Sequence, residues 1–217
     1  CLHGVWGLWM KARKDRSEAS TEQLVELLGH GESEIRAQAA RALGEAPLKD
    51  HGRLINSLQD QSARVKSFAA ISLTRLRSAQ AFNPTLVLLA ENADRDPYLR
   101  HAGVMCLLGA GTERQIANLR SHPNPSIRLA AVLALRRLHS PSLLHFFFDK
   151  EHAHISDEAI RAVHDVAVVR SRSEEHTSEL QSQAYLACRL LLVKMTTIQL
   201  YLKHMGSVCI RHRYNGA

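Results

Sequence analysis

The sequence predicts an all-α protein, an α-solenoid of about five stacked helical hairpins preceded by a partial unit at its N-terminal end. Three observations lead there. A nine-residue segment recurs five times, its starts separated by 30, 34, 28 and 28 residues. Its apolar positions fall at spacings of 4, 3 and 1, which line one face of a helix with 3.6 residues per turn. A second apolar group precedes the segment at a nearly constant distance, so each unit of about thirty residues reads as a pair of helices.

The recurring segments begin at Ile35, Val65, Leu99, Ile127 and Ile155. Their fifth position holds Ala39, Ala69, Gly103, Ala131 and Ala159, and their eighth holds Ala42, Ser72, Cys106, Ala134 and Ala162. Small residues at both places let a neighbouring helix approach closely, and a large one would overpack the contact. These five stretches are the second helices of the hairpins. Aligning Leu8 with Leu43 places Gly4 and Gly7 at the small positions, so residues 1–10 read as the second helix of a unit cut inside its repeat.

The first helices are short: Leu24–Leu28, Leu54–Leu58, Leu86–Leu89, Ile116–Leu119 and Leu143–Phe147. Leu24, Leu54, Ile116 and Leu144 each stand eleven residues before the second helix's first aliphatic residue. Leu86 stands thirteen before Leu99, which puts a two-residue insertion in the third turn. Glycine, proline and aspartate break the chain between the helices, at Gly29-His30-Gly31, Asp60-Gln61-Ser62, Asp94-Arg95-Asp96-Pro97 and His122-Pro123-Asn124-Pro125. Ser20 and Thr21 with Gln23, and Ser140 before Pro141, have the chemistry of helix starts. No single hairpin can bury both of its apolar faces, whereas a row of them shares one continuous core.

The order Asp or Pro, aliphatic-Arg, then Ala-Ala-x-Ala-Leu resembles the HEAT-like repeat over roughly residues 1–169. The phrases Leu2-His3-Gly4-Val5-Trp6-Gly7-Leu8, Asp96-Pro97-Tyr98-Leu99-Arg100-His101-Ala102, Arg128 to Arg137 and Glu158 to Val166 are similar to the HEAT segment of large bacterial haem-binding proteins of the membrane-bound dehydrogenase-domain type. That resemblance implies a cell-envelope or periplasmic location and a spacer between a β-propeller and a c-type cytochrome domain. The haem of that family is held by C-x-x-C-H, which this sequence lacks. No cofactor is therefore expected in this chain, and only the spacer role carries over.

Composition changes after Val169. Residues 172–182, Arg-Ser-Glu-Glu-His-Thr-Ser-Glu-Leu-Gln-Ser, and then Cys188-Arg189-Leu190-Leu191-Leu192, resemble the translation of a sequencing-library adapter. We therefore take 1–169 as the solenoid and 170–217 as a non-native tail, set aside from fold reasoning. Residues 172–217 hold six of the 28 Lys and Arg and three of the 21 Asp and Glu. The formal charge of +7 for the whole chain thus falls to +4 without them. No run of apolar residues is long enough for a membrane-spanning helix.

Arg36, Lys66, Arg100 and Arg128 recur at one position of the repeat, and Ser156 replaces them in the fifth unit. Such a row could follow a phosphate backbone. A charge of +4 and the lack of aromatic stacking platforms argue against nucleic acid, so the row reads as an inter-repeat ladder pairing with turn acids or carbonyls such as Asp60, Asp94 and Asp96. Phe68, Ile71, Met105 and Leu133 lie on second helices outside the core pattern. They form either an apolar strip that contacts a protein or part of a broad buried face. Cys106 sits at a small core position and reads as filler. His152-Ala153-His154 and His164-Asp165 lack the converging ligands of a metal site. No nucleophile elbow, phosphate loop or carboxylate pair appears.

The expectation is a non-catalytic HEAT-like scaffold or spacer offering a protein-binding surface, a fragment of a larger cell-envelope dehydrogenase or cytochrome-type protein. The alternatives are a free-standing scaffold of the lyase-type HEAT-like kind, which would hold a protein or a tetrapyrrole, and a weak binder of nucleic-acid backbone. If the tail is foreign, deleting residues 172–217 will leave the helicity and melting temperature of the remainder unchanged by circular dichroism. A cooperative loss of stability would show instead that the tail caps the stack.

Overall fold

A computed structural model describes residues 2–146 and 152–173, with side chains as far as Asp165. The described residues are helices and turns, with no strand among them. Residues 1–159 form one compact unit. The expected tail beyond Ser173 lies outside the described residues.

Helix α1 spans Leu2–Lys14 and packs on α2, Glu18–Glu26, and α3, Ser33–Leu43. Two further hairpins follow. One pairs α4, Gly52–Asn56, with α5, Ala63–Leu76, and the next pairs α6, Phe82–Asn92, with α7, Pro97–Ala110. Helix α8, Glu113–Asn118, then pairs with α9, Pro125–Arg137. A 3-10 turn over Pro141–Phe146 stands where the fifth first helix was expected, ahead of α10, Ala153–Ser173. The hairpins stack through their second helices, α3 on α5, α5 on α7 and α7 on α9.

The core is the stripe that the spacing predicts. Ala39, Ala69, Ala131, Ala159, Cys106, Leu43, Leu73, Leu107 and Leu135 are all fully buried. Fully burying one leucine contributes about 1.5–3 kcal/mol. Glycines mark the tightest crossings. A Cβ on Gly109 of α7 would sit 2.6 Å from the Thr74 Cα of α5, and one on Gly44 would sit 2.6 Å from Ser72 Oγ.

Four details of the sequence reading change. Gly4 and Gly7 face solvent with nothing within 4 Å of an added Cβ, and α1 buries Val5 and Ala12 instead. Those two lie thirty residues before Ile35 and Ala42, so α1 is in register with α3 five residues further along than the Leu8–Leu43 alignment puts it. In the third unit Leu86 is only half-buried while Leu88, eleven before Leu99, is 1 % exposed. The turn therefore has the ordinary spacing, and the extra residues lie ahead of α6, over Arg77–Ala81. Leu144 is exposed and Leu143 is buried in its place, because the tighter 3-10 winding rotates successive side chains by about 120° rather than 100°. Finally, Ser17 caps α2, its Oγ accepting from Ser20 N, while Ser20 and Thr21 lie buried inside that helix. Ser140 does accept from Ser142 N at the start of the Pro141 turn.

The two kinds of helical glycine predict opposite outcomes for one substitution. Gly109→Ala forces α5 and α7 apart and should destabilise by about 1–3 kcal/mol. Gly7→Ala meets open space in an exposed helix interior and should stabilise by about 0.5–1 kcal/mol. Urea unfolding midpoints of the two variants check both signs.

Candidate functional site

The turns between first and second helices are built alike. The first helices α2, α4 and α8 each end in a 3-10 turn, at Leu27–Gly29, Ser57–Gln59 and Leu119–Ser121. The next residue, His30, Asp60 or His122, turns the chain and accepts a hydrogen bond from the backbone N–H two residues on. His30 Nδ1 takes Glu32 N at 3.0 Å, Asp60 Oδ1 takes Ser62 N at 2.8 Å, and His122 Nδ1 takes Asn124 N at 3.1 Å. A histidine ring nitrogen thus does the work of a carboxylate oxygen, which requires that nitrogen to carry no proton. The third turn is different: Ala93 and Asp94 adopt positive φ, and Asp96 caps α7 by accepting from Tyr98 N and Leu99 N.

The repeated cations lie over these turns. Arg36 Nη1 donates to His30 O and Gly31 O, at 2.8 and 2.9 Å. Its Nε and Nη2 reach the next hairpin and grip both oxygens of Asp60, at 2.8 and 2.9 Å. Arg128, 7 % exposed, repeats the arrangement: Nη1 donates to His122 O and Pro123 O, and Nη2 lies 2.7 Å from His152 Nδ1. Both bridges span 24 residues. Lys66 Nζ reaches forward to Glu91 at 3.6 Å, whereas Arg100 pairs with Asp94 of its own turn. The hydrogen bond from Arg36 holds the Asp60 carboxyl below its ordinary pKa.

A second set of side chains lies on the second helices. Phe68, Ile71, Met105 and Leu133 are all half-buried. Phe68 and Ile71 pack on the core, and the Arg64 and Arg41 guanidinium carbons stand 5.0 and 5.8 Å from the Phe68 ring centre. Ion pairs cross from hairpin to hairpin on these helices: Arg64 to Glu34 at 2.8 Å, Arg75 to Glu45 at 2.9 Å, Arg13 to Glu45 at 3.5 Å, and Arg136 to Glu158 at 3.0 Å.

The sequence reading missed a groove of about 520 Å³ between α1 and α3. Leu2, His3, Val5, Trp6 and Trp9 form its wall on α1, and Gln38, Arg41 and Ala42 of α3, with Glu45 just beyond that helix, form the other. Trp6 is 63 % exposed, and Arg13 lies over the Trp9 ring at 5.3 Å. Leu2, Val5, Trp6 and Trp9 follow the i, i+3, i+4, i+7 stripe of an amphipathic helix, so the signal was present in the sequence. The misplaced register of α1 hid it.

Elsewhere chemistry is quiet. Cys106 is buried against Thr85 Oγ1 at 3.1 Å, and burial pushes its thiol up to about 11. No group of three or more His, Cys, Asp or Glu that could hold a metal ion occurs among the described residues. His164 Nδ1 lies 3.6 Å from Asp165 Oδ1, although helical neighbours usually diverge. Of Phe146, Phe147 and Phe148, the first is buried and the others lie outside the described residues. No described helix is long and apolar enough to cross a membrane.

No family model matches the chain, and no curated protein matches it. Solved structures do. An archaeal HEAT-like repeats protein from Thermococcus onnurineus superposes with a TM-score of 0.51 at 14% identity, over 88% of this chain and 92% of that one. The fold is an all-α HEAT-like solenoid. The complex of CpcE and CpcF of phycocyanin lyase from Nostoc sp. gives a TM-score of 0.49 at 21% identity, over 77% of this chain and 72% of that one. An engineered protein gives 0.40 at 16% identity, over 81% and 96%.

The Arg36–Asp60 bridge makes stability depend on pH. Because the folded-state pKa of Asp60 is lowered, its contribution is full above the unfolded value of ~3.9 and is lost as pH falls through the lowered one. Asp60→Asn, which can still accept from Ser62 N, should cost about 1–3 kcal/mol at pH 7. The gap to the unaltered protein should close below about pH 4. Urea titrations at several pH values measure it.

Proposed function

We propose that this HEAT-like solenoid is a non-catalytic scaffold whose second-helix face binds protein. One observation carries the reading. Apolar side chains that the core does not enclose, Phe68, Ile71, Met105 and Leu133, recur along successive second helices, beside a groove walled by two tryptophans. An extended row of partly open apolar residues edged by charge is what a protein interface needs. Solenoids offer such rows because each unit presents the same face.

The cations Arg36, Lys66, Arg100 and Arg128 serve, on this reading, as a ladder that ties each turn to itself or to its neighbour. Their donors meet carbonyls, a carboxylate or a ring nitrogen, which leaves them poorly placed to follow a nucleic-acid backbone. The resemblance of the phrases at residues 2–8, 96–102, 128–137 and 158–166 further supports a spacer within a larger cell-envelope protein of the dehydrogenase and cytochrome type. A propeller encoded upstream and C-x-x-C-H downstream in the same gene would bear that out.

A photo-crosslinking amino acid placed at Ile71 or Met105 tests the scaffold reading in the native host. Val87, exposed on first helix α6, is the control. Discrete protein adducts should form from Ile71 and Met105 and not from Val87. Equal adducts from all three positions, or none from any, would overturn the assignment of the face.

A further inference from the structure

The groove between α1 and α3 differs in chemistry from the rest of the second-helix face. Its floor is apolar, and Trp6, the most exposed tryptophan, stands at its edge with its ring in water. Its acid is already satisfied, since Glu45 is held by both Arg13 and Arg75. The Gln38 amide donates to Glu34 at 2.8 Å. Arg41 is different: among the described residues its guanidinium has no carboxylate or carbonyl partner and rests only on the Phe68 ring. Over α1, α3 and α5 this face carries Arg13, Arg41, Arg64 and Arg75 against Glu34 and Glu45, an excess of two positive charges.

We propose that this groove receives an acidic, apolar helical segment of a partner protein, with its apolar side chains against Trp6 and Trp9 and a carboxylate on Arg41; this deepens, and rests on, the protein-binding reading of the second-helix face. Charge complementarity selects an acidic partner, and the unpaired Arg41 gives it a specific contact. Shape selects a helix. The wall on α1 carries the i, i+3, i+4, i+7 stripe of Leu2, Val5, Trp6 and Trp9, against which a second apolar stripe of the same spacing can pack as helix-in-groove recognition requires. A tryptophan that a partner covers, beside an arginine that then meets its counter-charge, is the usual composition of an interface anchor.

The chain has two tryptophans, and both line this groove, so intrinsic emission reports its occupancy directly. The probe is a synthetic helical peptide with leucine at the stripe positions and glutamate elsewhere, titrated into the full chain. Its counterpart carries lysine in place of every glutamate. The glutamate peptide should bind with micromolar affinity, shift the tryptophan emission and weaken as salt rises, and the lysine peptide should bind at least tenfold more weakly. Arg41→Glu should cost the glutamate peptide tenfold or more and improve the lysine peptide. Arg41 is exposed and carries no ion pair, and an unchanged circular dichroism melt confirms that the variant folds. Trp6→Ala, at an exposed site, should weaken both peptides. Equal affinity for the two peptides, indifference to Arg41→Glu, or binding of the small anion anilinonaphthalene sulfonate without binding of either peptide would overturn the proposal. Any of these would leave the crosslinking result at Ile71 and Met105 standing, so the two readings fail separately.

Discussion

Everything in this molecule follows from how near one second helix can come to the next. A hairpin of thirty residues has apolar surface on two sides and can cover only one of them with its own first helix. The other must be covered by the following hairpin, and the available contact is set by the residues at the crossing. Where α5 meets α7, Gly109 admits the Thr74 backbone, and where α3 meets α5, Gly44 admits Ser72. Alanine, serine or cysteine at the fifth and eighth positions serve the same end with less extreme approach. The leucines at the ninth position then fill the space that the short contact leaves enclosed.

The turns are the second constraint, since close helices leave the ends of each hairpin with carbonyls to satisfy. Arg36 and Arg128, each six residues after its turn, meet two of those carbonyls, and the planar fork has donors left over for the next hairpin. Asp60 and His152 occupy the receiving position for Arg36 and Arg128. The third unit departs at just this point. Its turn passes through positive φ at Ala93 and Asp94, its cap is the Asp96 carboxylate, and its cation folds back onto Asp94. The ladder is therefore a set of local solutions to one problem.

These two constraints leave the outward side of the second helices only partly enclosed, with Phe68, Ile71, Met105 and Leu133 half-buried there. The inter-hairpin ion pairs of Glu34, Glu45 and Glu158 neutralise much of the charge on that side. What stays open is apolar or, at Arg41, cationic.

The amino-acid sequence by itself determined the helix pairs and the core, because 3.6-residue periodicity and small residues at fixed positions are local properties repeated five times. Leu24, Leu54 and Ile116, with the stripes beginning at Ile35, Val65, Ile127 and Ile155, could be read off directly. Only the tertiary structure decided the register of α1, the burial of Leu143 over Leu144, and the place of the extra residues before α6. Each turns on a shift of one to five residues, and one repeat pattern accommodates several such shifts until a neighbouring helix selects one. The Trp6–Trp9 groove was decided there too, since it exists only between two helices that the sequence separates by the whole of α2.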